Sequence, residues 1–261
     1  MGSWLFGESL KKNRSAGLPR SFKLFSYTLD GVDDFISINN SNVLGNPYDF
    51  DRTNAFTLAQ IVTPRVASLS NFAMWDKRST SAGYFWGVNS SSQMFASFNT
   101  PSGQRGALIN SGIGFGKDVK TIWIISFSGN SDATGFTLRQ YNGNTGNLIQ
   151  TASISGGGAS ILGGVTGVMT GDLRNTSYIN IGKNFVGGGF TKADIQHPSI
   201  WNVEFNGTQA QELASKIIND TVKSHSVYSS NCVGYWKNAV EQTLLNEINN
   251  TYNGILSGFK L

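Results

Sequence analysis

From Phe25 to about Ile200 the chain repeats one pattern, short apolar runs of strand length set between clusters of Gly, Asn and Ser. Strands bounded at such short intervals by turn residues read as a sandwich or barrel, not a helical core. Thr121-Ile122-Trp123-Ile124-Ile125-Ser126-Phe127 is nearly continuous in apolar residues. It is expected to be a central strand buried on both faces. Ala55–Val62 reads as another strand, and Gly83–Val88 and Gln93–Phe98 read as a hairpin joined through Asn89–Ser92. Phe136–Tyr141 alternates cleanly and runs into Asn142-Gly143, a strong hairpin signal. Tyr178–Gly182 is a short strand followed by the loop Gly187–Phe190, and Ile195–Phe205 is a final strand with Trp201, Val203 and Phe205 on one face. His197, before Pro198, is expected in a loop. The 31 glycines work against long helices, and Ser155–Gly167, rich in them, reads as a loop without the Gly-x-x-x-x-Gly-Lys-Ser/Thr phosphate cradle.

One helix stands out. Thr208-Gln209-Ala210-Gln211 fits a capping box, with Thr208 as N-cap, and Ala210, Leu213, Ala214, Ile217 and Ile218 follow at helical spacing. This predicts a short amphipathic helix over about 209–219, packed on the sandwich edge. Val240, Leu244 and Ile248 fit a second short helix near the C-terminus.

Charge divides the chain unevenly. Residues 1–29 hold Lys11, Lys12, Arg14, Arg20 and Lys23 against Glu8 alone, which accounts for the whole formal charge of +4. Residues 30–261 balance. A nucleic-acid binder spreads a basic stripe over its folded face, so no nucleic-acid partner is expected. Residues 1–24 read as a basic N-terminal arm with a sticky end of Trp4, Leu5 and Phe6. The arm is either a solvated terminus or a segment that orders against an acidic neighbouring subunit. Only 14% of residues are charged, which suits an extracellular protein or one packed in an assembly. Cys232 is the only cysteine, so no intrachain disulfide forms. Met1–Phe6 lacks a signal-peptide apolar run and the Ser/Thr that myristoylation requires at position six. The expectation is cytosolic synthesis without secretory export. With no run of about 18 apolar residues, no membrane insertion is expected either. The Asn-x-Ser/Thr triplets Asn89-Ser90-Ser91 and Asn206-Gly207-Thr208 are read as chance.

Leu29-Asp30-Gly31-Val32-Asp33-Asp34-Phe35-Ile36 joins an Asp/Gly turn to a β-branched and aromatic strand. It resembles the "F-D-G-V-D-D-Y-I" entry strand of laminin-G-like domains in the concanavalin-A-like lectin/glucanase superfamily. In the phage and marine-virus type, later motifs follow in order. Thr121–Asn130 resembles the "W-h-h-V-A-h-T-F-D-G" strand and Leu138–Gly143 the "Y-I-N-G" hairpin. Ile179–Gly182, Ser199–Val203 and Thr208–Ile218 resemble the closing strand and helix. The likeness covers about residues 28–220. It implies an all-β, concanavalin-A-like jelly-roll β-sandwich over 25–222 with one short edge helix, between the arm (1–24) and a C-terminal extension (223–261). In the extension, His225–Lys237 resembles a "L-V-G-Y-W-K-h" strand and Tyr252–Leu256 the "N-N-G-T-L" strand, although Asn238-Ala239-Val240 replaces the usual acidic residue. These two strands either complete this domain or are donated to a neighbouring subunit.

Glucan hydrolases of this superfamily carry a Glu-x-Asp-x-(x)-Glu strand for nucleophile and acid/base. None of Glu8, Glu204, Glu212, Glu241 and Glu247 forms it, so no enzymatic activity is expected. His197 and His225 lie in no metal or triad spacing and receive no role. Asp33-Asp34 could ligate calcium, but turn and strand-edge capping is the reading favoured, so no metal and no cofactor is expected. For a sugar site, exposed rings beside Asp, Asn or Arg are needed. Trp75-Asp76-Lys77-Arg78 followed by Tyr84 and Trp86 is the best such group, with Trp75, Asp76, Tyr84 and Trp86 as its ligand candidates, weighed against core and strand-edge packing, which is favoured. Trp123 and Trp201 are expected in the core.

The resemblance implies a non-enzymatic bacteriophage virion protein, an exposed capsid decoration or head-fibre module anchored through Trp4, Phe6, Lys11, Lys12, Arg14 and Arg20. Its partners would be other capsid or fibre subunits and further copies of itself in a homo-oligomer. The alternative is a carbohydrate-binding adhesin or receptor-binding module of the tail, recognising host surface glycans.

Overall fold

The computed structural model describes residues 26–67, 72–109, 116–162, 167–185, 189–240 and 243–258. The N-terminal arm, half of the Gly187–Phe190 loop and part of Ser155–Gly167 lie outside the described residues. Strands β1 to β8 are Tyr27–Asp30, Phe35–Ile38, Phe56–Pro64, Phe72–Arg78, Gly83–Val88, Met94–Thr100, Gly103–Ile109 and Thr121–Phe127. Strands β9 to β16 are Phe136–Asn142, Leu148–Ser153, Ala159–Ile161, Asn180–Ile181, Lys192–Trp201, Cys232–Val240, Thr243–Asn246 and Gly254–Ser257. Helix α1 spans Gly207–Ile218, and a single turn, α2, spans Tyr228–Asn231.

Two antiparallel sheets face each other. The first runs β10-β9-β8-β3-β13; the second runs β15-β16-β2-β12-β4-β5-β6-β7-β11. Strand β8 lies between β3 and β9 with every residue buried, as its continuous apolar run predicts. Side chains alternate across a strand, so each sheet offers one face inward and one outward. The inner layer holds Trp75, Trp86, Trp123 and Trp236, with Phe56, Phe98, Phe127 and Phe136 packed together at one end. The hairpin Gly83–Thr100 turns at Asn89–Ser92 as expected. The Asn142 hairpin forms too, with its loop closed by Gly146 N–H donating to the Asn142 carbonyl at 2.8 Å.

Strand β14 joins the two sheets. Its first half pairs with β13 through Ser199–Tyr235 and Ile200–Gly234; its second half pairs with β15 through Ala239–Leu244. Strand β16 then pairs with β2. A strand that changes sheets needs a local bend, and register shifts interrupt both pairings, at Ile200/Trp201 and at Trp236/Asn238. The C-terminal strands therefore complete this domain from within the chain.

Several local expectations need correction. Thr243–Asn246 is strand β15, not part of a helix: pairing with β14 and β16 outweighs the helical spacing of Val240, Leu244 and Ile248. Ala159–Ile161 forms a short strand on β7 within the stretch read as loop. His197 lies in β13, at a bulge with φ 50°, and Val203 and Phe205 fall beyond that strand's end. Asn206, not Thr208, caps α1: its side chain accepts from Gln209 N–H at 2.9 Å, and Asn206 N–H donates to Gln209 Oε1 at 3.2 Å. The sequence holds two overlapping boxes, and Gln211 is engaged elsewhere, donating to the Gly146 carbonyl at 2.8 Å.

Candidate functional site

The residue group singled out for sugar stacking does not present its rings. Trp75, Tyr84 and Trp86 are 0%, 1% and 1% exposed, on the inner face of the second sheet. Tyr84 donates its hydroxyl to the Tyr48 carbonyl at 3.0 Å, and burial holds its pKa well above the ordinary phenol value. Buried rings offer no face to a sugar, so these three serve packing, the reading the sequence favoured.

Beside Tyr84, Lys77 also points inward. Its ammonium donates to the carbonyls of Ser41, Asn175 and Ser177 at 2.8, 2.8 and 3.0 Å, with Asp49 at 3.5 Å. Burial lowers its pKa, and Asp49 opposes that shift. The arrangement pins loops 41–49 and 171–177 to β4, a structural task.

Asp76 faces the other way. Strand alternation sends Asp76 and Arg78 of β4, Phe85 of β5, Phe95 and Asn99 of β6 and Gln104 and Leu108 of β7 to the outer face of the second sheet. Phe85 and Phe95 meet at 5.0 Å between centroids and form, with Ala73, a small apolar cluster that Leu108 and Leu162 flank. Gly87 makes this packing possible, because a Cβ there would stand 2.6 Å from the Phe85 ring. Above the rings lies a groove of about 510 Å³, rimmed by Arg78, Thr80, Asn99, Gln104 and Asn184.

The Arg78 guanidinium is fixed in place. It grips Asp76 as a fork, Nε to Oδ1 at 2.9 Å and Nη2 to Oδ2 at 2.7 Å, and Nη2 also donates to Asn184 Oδ1 at 2.9 Å. Its plane covers the Phe85 ring at 3.7 Å. Two backbone donors complete the carboxylate, Arg78 N–H on Oδ1 at 3.1 Å and Phe185 N–H on Oδ2 at 2.8 Å. The result is a rigid surface with an apolar floor and amides on its rim, the mixture that orients a polar ligand. Of the expected site residues, only Asp76 touches this surface, and indirectly. Phe85, Phe95, Asn99, Gln104 and Asn184 were missed, although parity within Gly83–Val88 separates Phe85 from Tyr84 and Trp86, while Arg78 belonged to the Trp75–Arg78 stretch singled out in the sequence.

The acidic turn behaves as a cap. Asp30 Oδ1 accepts from Val32 N–H at 2.7 Å and Asp33 N–H at 3.3 Å, and Asp34 Oδ2 accepts from Asp30 N–H at 2.9 Å. Carboxylate oxygens of Asp30, Asp33 and Asp34 gather within 4.8 Å of one another. Turn capping accounts for the position of Asp30 and Asp34.

Both histidines serve the opposite face of the molecule. His225 stacks on Phe205 at 5.0 Å beneath α1, and His197 Nδ1 lies 2.7 Å from the Tyr235 hydroxyl. Burial depresses the His197 pKa to about 4. Trp123 and Trp201 are core residues, as expected.

These features define a two-sheet antiparallel β-sandwich of concanavalin-A-like fold. Among solved structures, the chain is similar to a candidate carbohydrate-binding protein from Bacteroides ovatus, at 10% identity and a TM-score of 0.51, over 89% of this chain and 58% of that one. It is also similar to botulinum neurotoxin type C, whose cell entry depends on interaction with two ganglioside molecules, at 14% identity and a TM-score of 0.45, over 70% and 40%. A SAP-like pentraxin from Limulus polyphemus matches at 15% identity and a TM-score of 0.38, over 70% and 82%. The chain thus spans 40% and 58% of the first two structures' length. No protein-family model and no curated protein matches it.

Proposed function

We propose that the chain is a non-enzymatic carbohydrate-binding module whose site is the outer groove over Phe85 and Phe95. The observation that carries this reading is the rigid rim of Arg78, Asn99, Gln104 and Asn184 above an apolar floor. Sugar rings have an apolar face and a hydroxyl edge, and such a surface offers a partner for each. The Bacteroides ovatus protein shares the fold and is named for carbohydrate binding, which supports the reading. Hydrolysis requires two carboxyl groups facing the scissile bond. Among the described residues the rim of this groove supplies none, and Asp76 beneath it is saturated by Arg78 and two backbone donors. Glycan-array retention followed by titration calorimetry tests the reading. Gln104→Ala and Leu162→Ala should weaken binding while the fold persists. No retention of the intact chain on any surface polysaccharide would overturn it.

A virion location is a second reading, favoured by the basic arm, which carries the chain's entire formal charge of +4, and by the resemblance to phage and marine-virus domains. On that reading the module is an adhesin or decoration displayed on the particle, docked by residues 1–24. Deleting residues 1–24 should then leave the sandwich folded and abolish particle incorporation. Unchanged incorporation would remove the docking role.

A further inference from the structure

Charge in the groove is already settled before a ligand arrives. Arg78 is the one charged side chain among the described residues lining it, and Asp76 lies against that guanidinium in a bidentate pair buried on both sides. Four donors occupy the Asp76 carboxylate, so it has little capacity left for a ligand. The guanidinium spends Nε and Nη2 on Asp76 and Asn184. The rest of the rim is neutral, being Thr80, Asn99, Gln104 and Asn184. Asn99 donates to the Ser79 carbonyl at 2.8 Å, which fixes its amide, while the Gln104 amide has no hydrogen-bond partner among the described residues.

From this we infer that the groove selects neutral glycans, sugars without sialic or uronic acid, an inference that rests on the carbohydrate-binding reading above. An acidic sugar whose carboxylate approached Arg78, the one cation of the lining, would lie beside Asp76 and meet a charge already neutralised. Desolvating that anion costs free energy, and no uncompensated positive charge offsets it. A neutral sugar carries no such cost. Its hydroxyls accept from Arg78 Nη1 and exchange hydrogen bonds with Gln104, and an apolar ring face packs on the half-buried Leu162. Recognition by neutral hydrogen bonds is also insensitive to salt, because no ion pair forms on binding.

Matched probes separate the outcomes. Lactose and 3′-sialyllactose differ by one acidic residue, as do neutral mannan fragments and oligouronates of equal length. The intact chain should bind a neutral member of these pairs at least about tenfold more tightly than its acidic partner, equivalent to about 1.4 kcal/mol. Its affinity should be unchanged between about 50 and about 500 mM NaCl, since screening acts on ion pairs. Gln104→Lys adds an uncompensated cation to the rim without touching the buried pair. It should raise affinity for the acidic probe and make binding salt-sensitive. Asp76→Asn frees Arg78 and should act in the same direction if the variant folds. A preference for the acidic probes by the intact chain would overturn the neutral-glycan inference and leave carbohydrate binding standing. Retention of no probe, neutral or acidic, would overturn both.

Discussion

The two outer faces of this sandwich have the same kind of strand alternation behind them and opposite fates. On the first sheet, Ala59 and Ile61 of β3 and Ile122 and Ile124 of β8 face outward and are sealed by Ala210, Leu213, Ala214 and Ile217 of α1. On the second sheet, the corresponding outward layer is Phe85, Phe95 and Leu108, flanked only by Leu162. One face became a second core, and the other kept a groove with a polar rim. A helix that buries its stripe of Leu and Ile gains roughly 1.5–3 kcal/mol for each large side chain. The second face buries Phe85 and Phe95 as well, but under the Arg78 guanidinium held by the Asp76–Arg78 fork, a hydrogen-bonded network in place of a helix. This difference is why the proposed site lies on the second sheet.

Substitutions can break the comparison. The largest effect is expected from Asp76→Ala, which strands Arg78 in a buried position and should cost about 3–5 kcal/mol of stability. Chemical denaturation reads that loss, and glycan binding should fall with it because the rim loses its anchor. Next, Leu213→Ala on the sealed face should cost about 2–5 kcal/mol through lost burial and a cavity. Glycan affinity of the folded fraction should not change. If it does, the faces are coupled and the division is wrong.

A pH series sharpens the contrast further. His197 belongs to the sealed side, packed against Tyr235, with Asp220, Lys237 and Lys120 acting on it electrostatically. Its folded pKa is lowered from 6.5 to about 4, mainly by burial. The unfolded chain therefore binds the extra proton first as pH falls. Stability from this group is complete above about pH 6.5 and is lost progressively down to about pH 4, by an amount on the order of 2–3 kcal/mol. Urea midpoints at pH 7 and pH 4.5 measure the slope, and His197→Phe should flatten it. The smallest change belongs to the open face: Gln104→Ala should alter stability by less than about 0.5 kcal/mol. It should weaken glycan binding about fivefold, the worth of one net hydrogen bond.

What the sequence revealed follows from range. Strands such as Thr121–Phe127 and the Gly83–Val88 hairpin were legible because their signal is local, in apolar runs and Asn/Ser turns. Helix α1 was legible for the same reason, with its cap displaced by two residues because Asn206 and Thr208 each begin a capping box. Strand β14 was legible only through the resemblance of His225–Lys237, and its corner role was not, since pairing Tyr235 with Ser199 and Ala239 with Leu244 leaves no local pattern, and Val240, Leu244 and Ile248 imitate a helix. The site failed on parity. Grouping Trp75, Tyr84 and Trp86 selected three inward residues, while Phe85, the odd one between them, faces the groove. On β4 the register shift between Ala73 and Trp75 further conceals which side chains face outward. Leu162 and Asn184 reach the rim from distant loops, a juxtaposition only the fold creates.

The most direct test of the two-face account is amide hydrogen exchange with and without a saturating neutral oligosaccharide. Added protection in Gly83–Val88, Met94–Thr100 and Gly103–Ile109, with Gly207–Ile218 unchanged, is the expected result. Protection concentrated on the Gly207–Ile218 helix, or none on the second sheet with ligand bound, would contradict it.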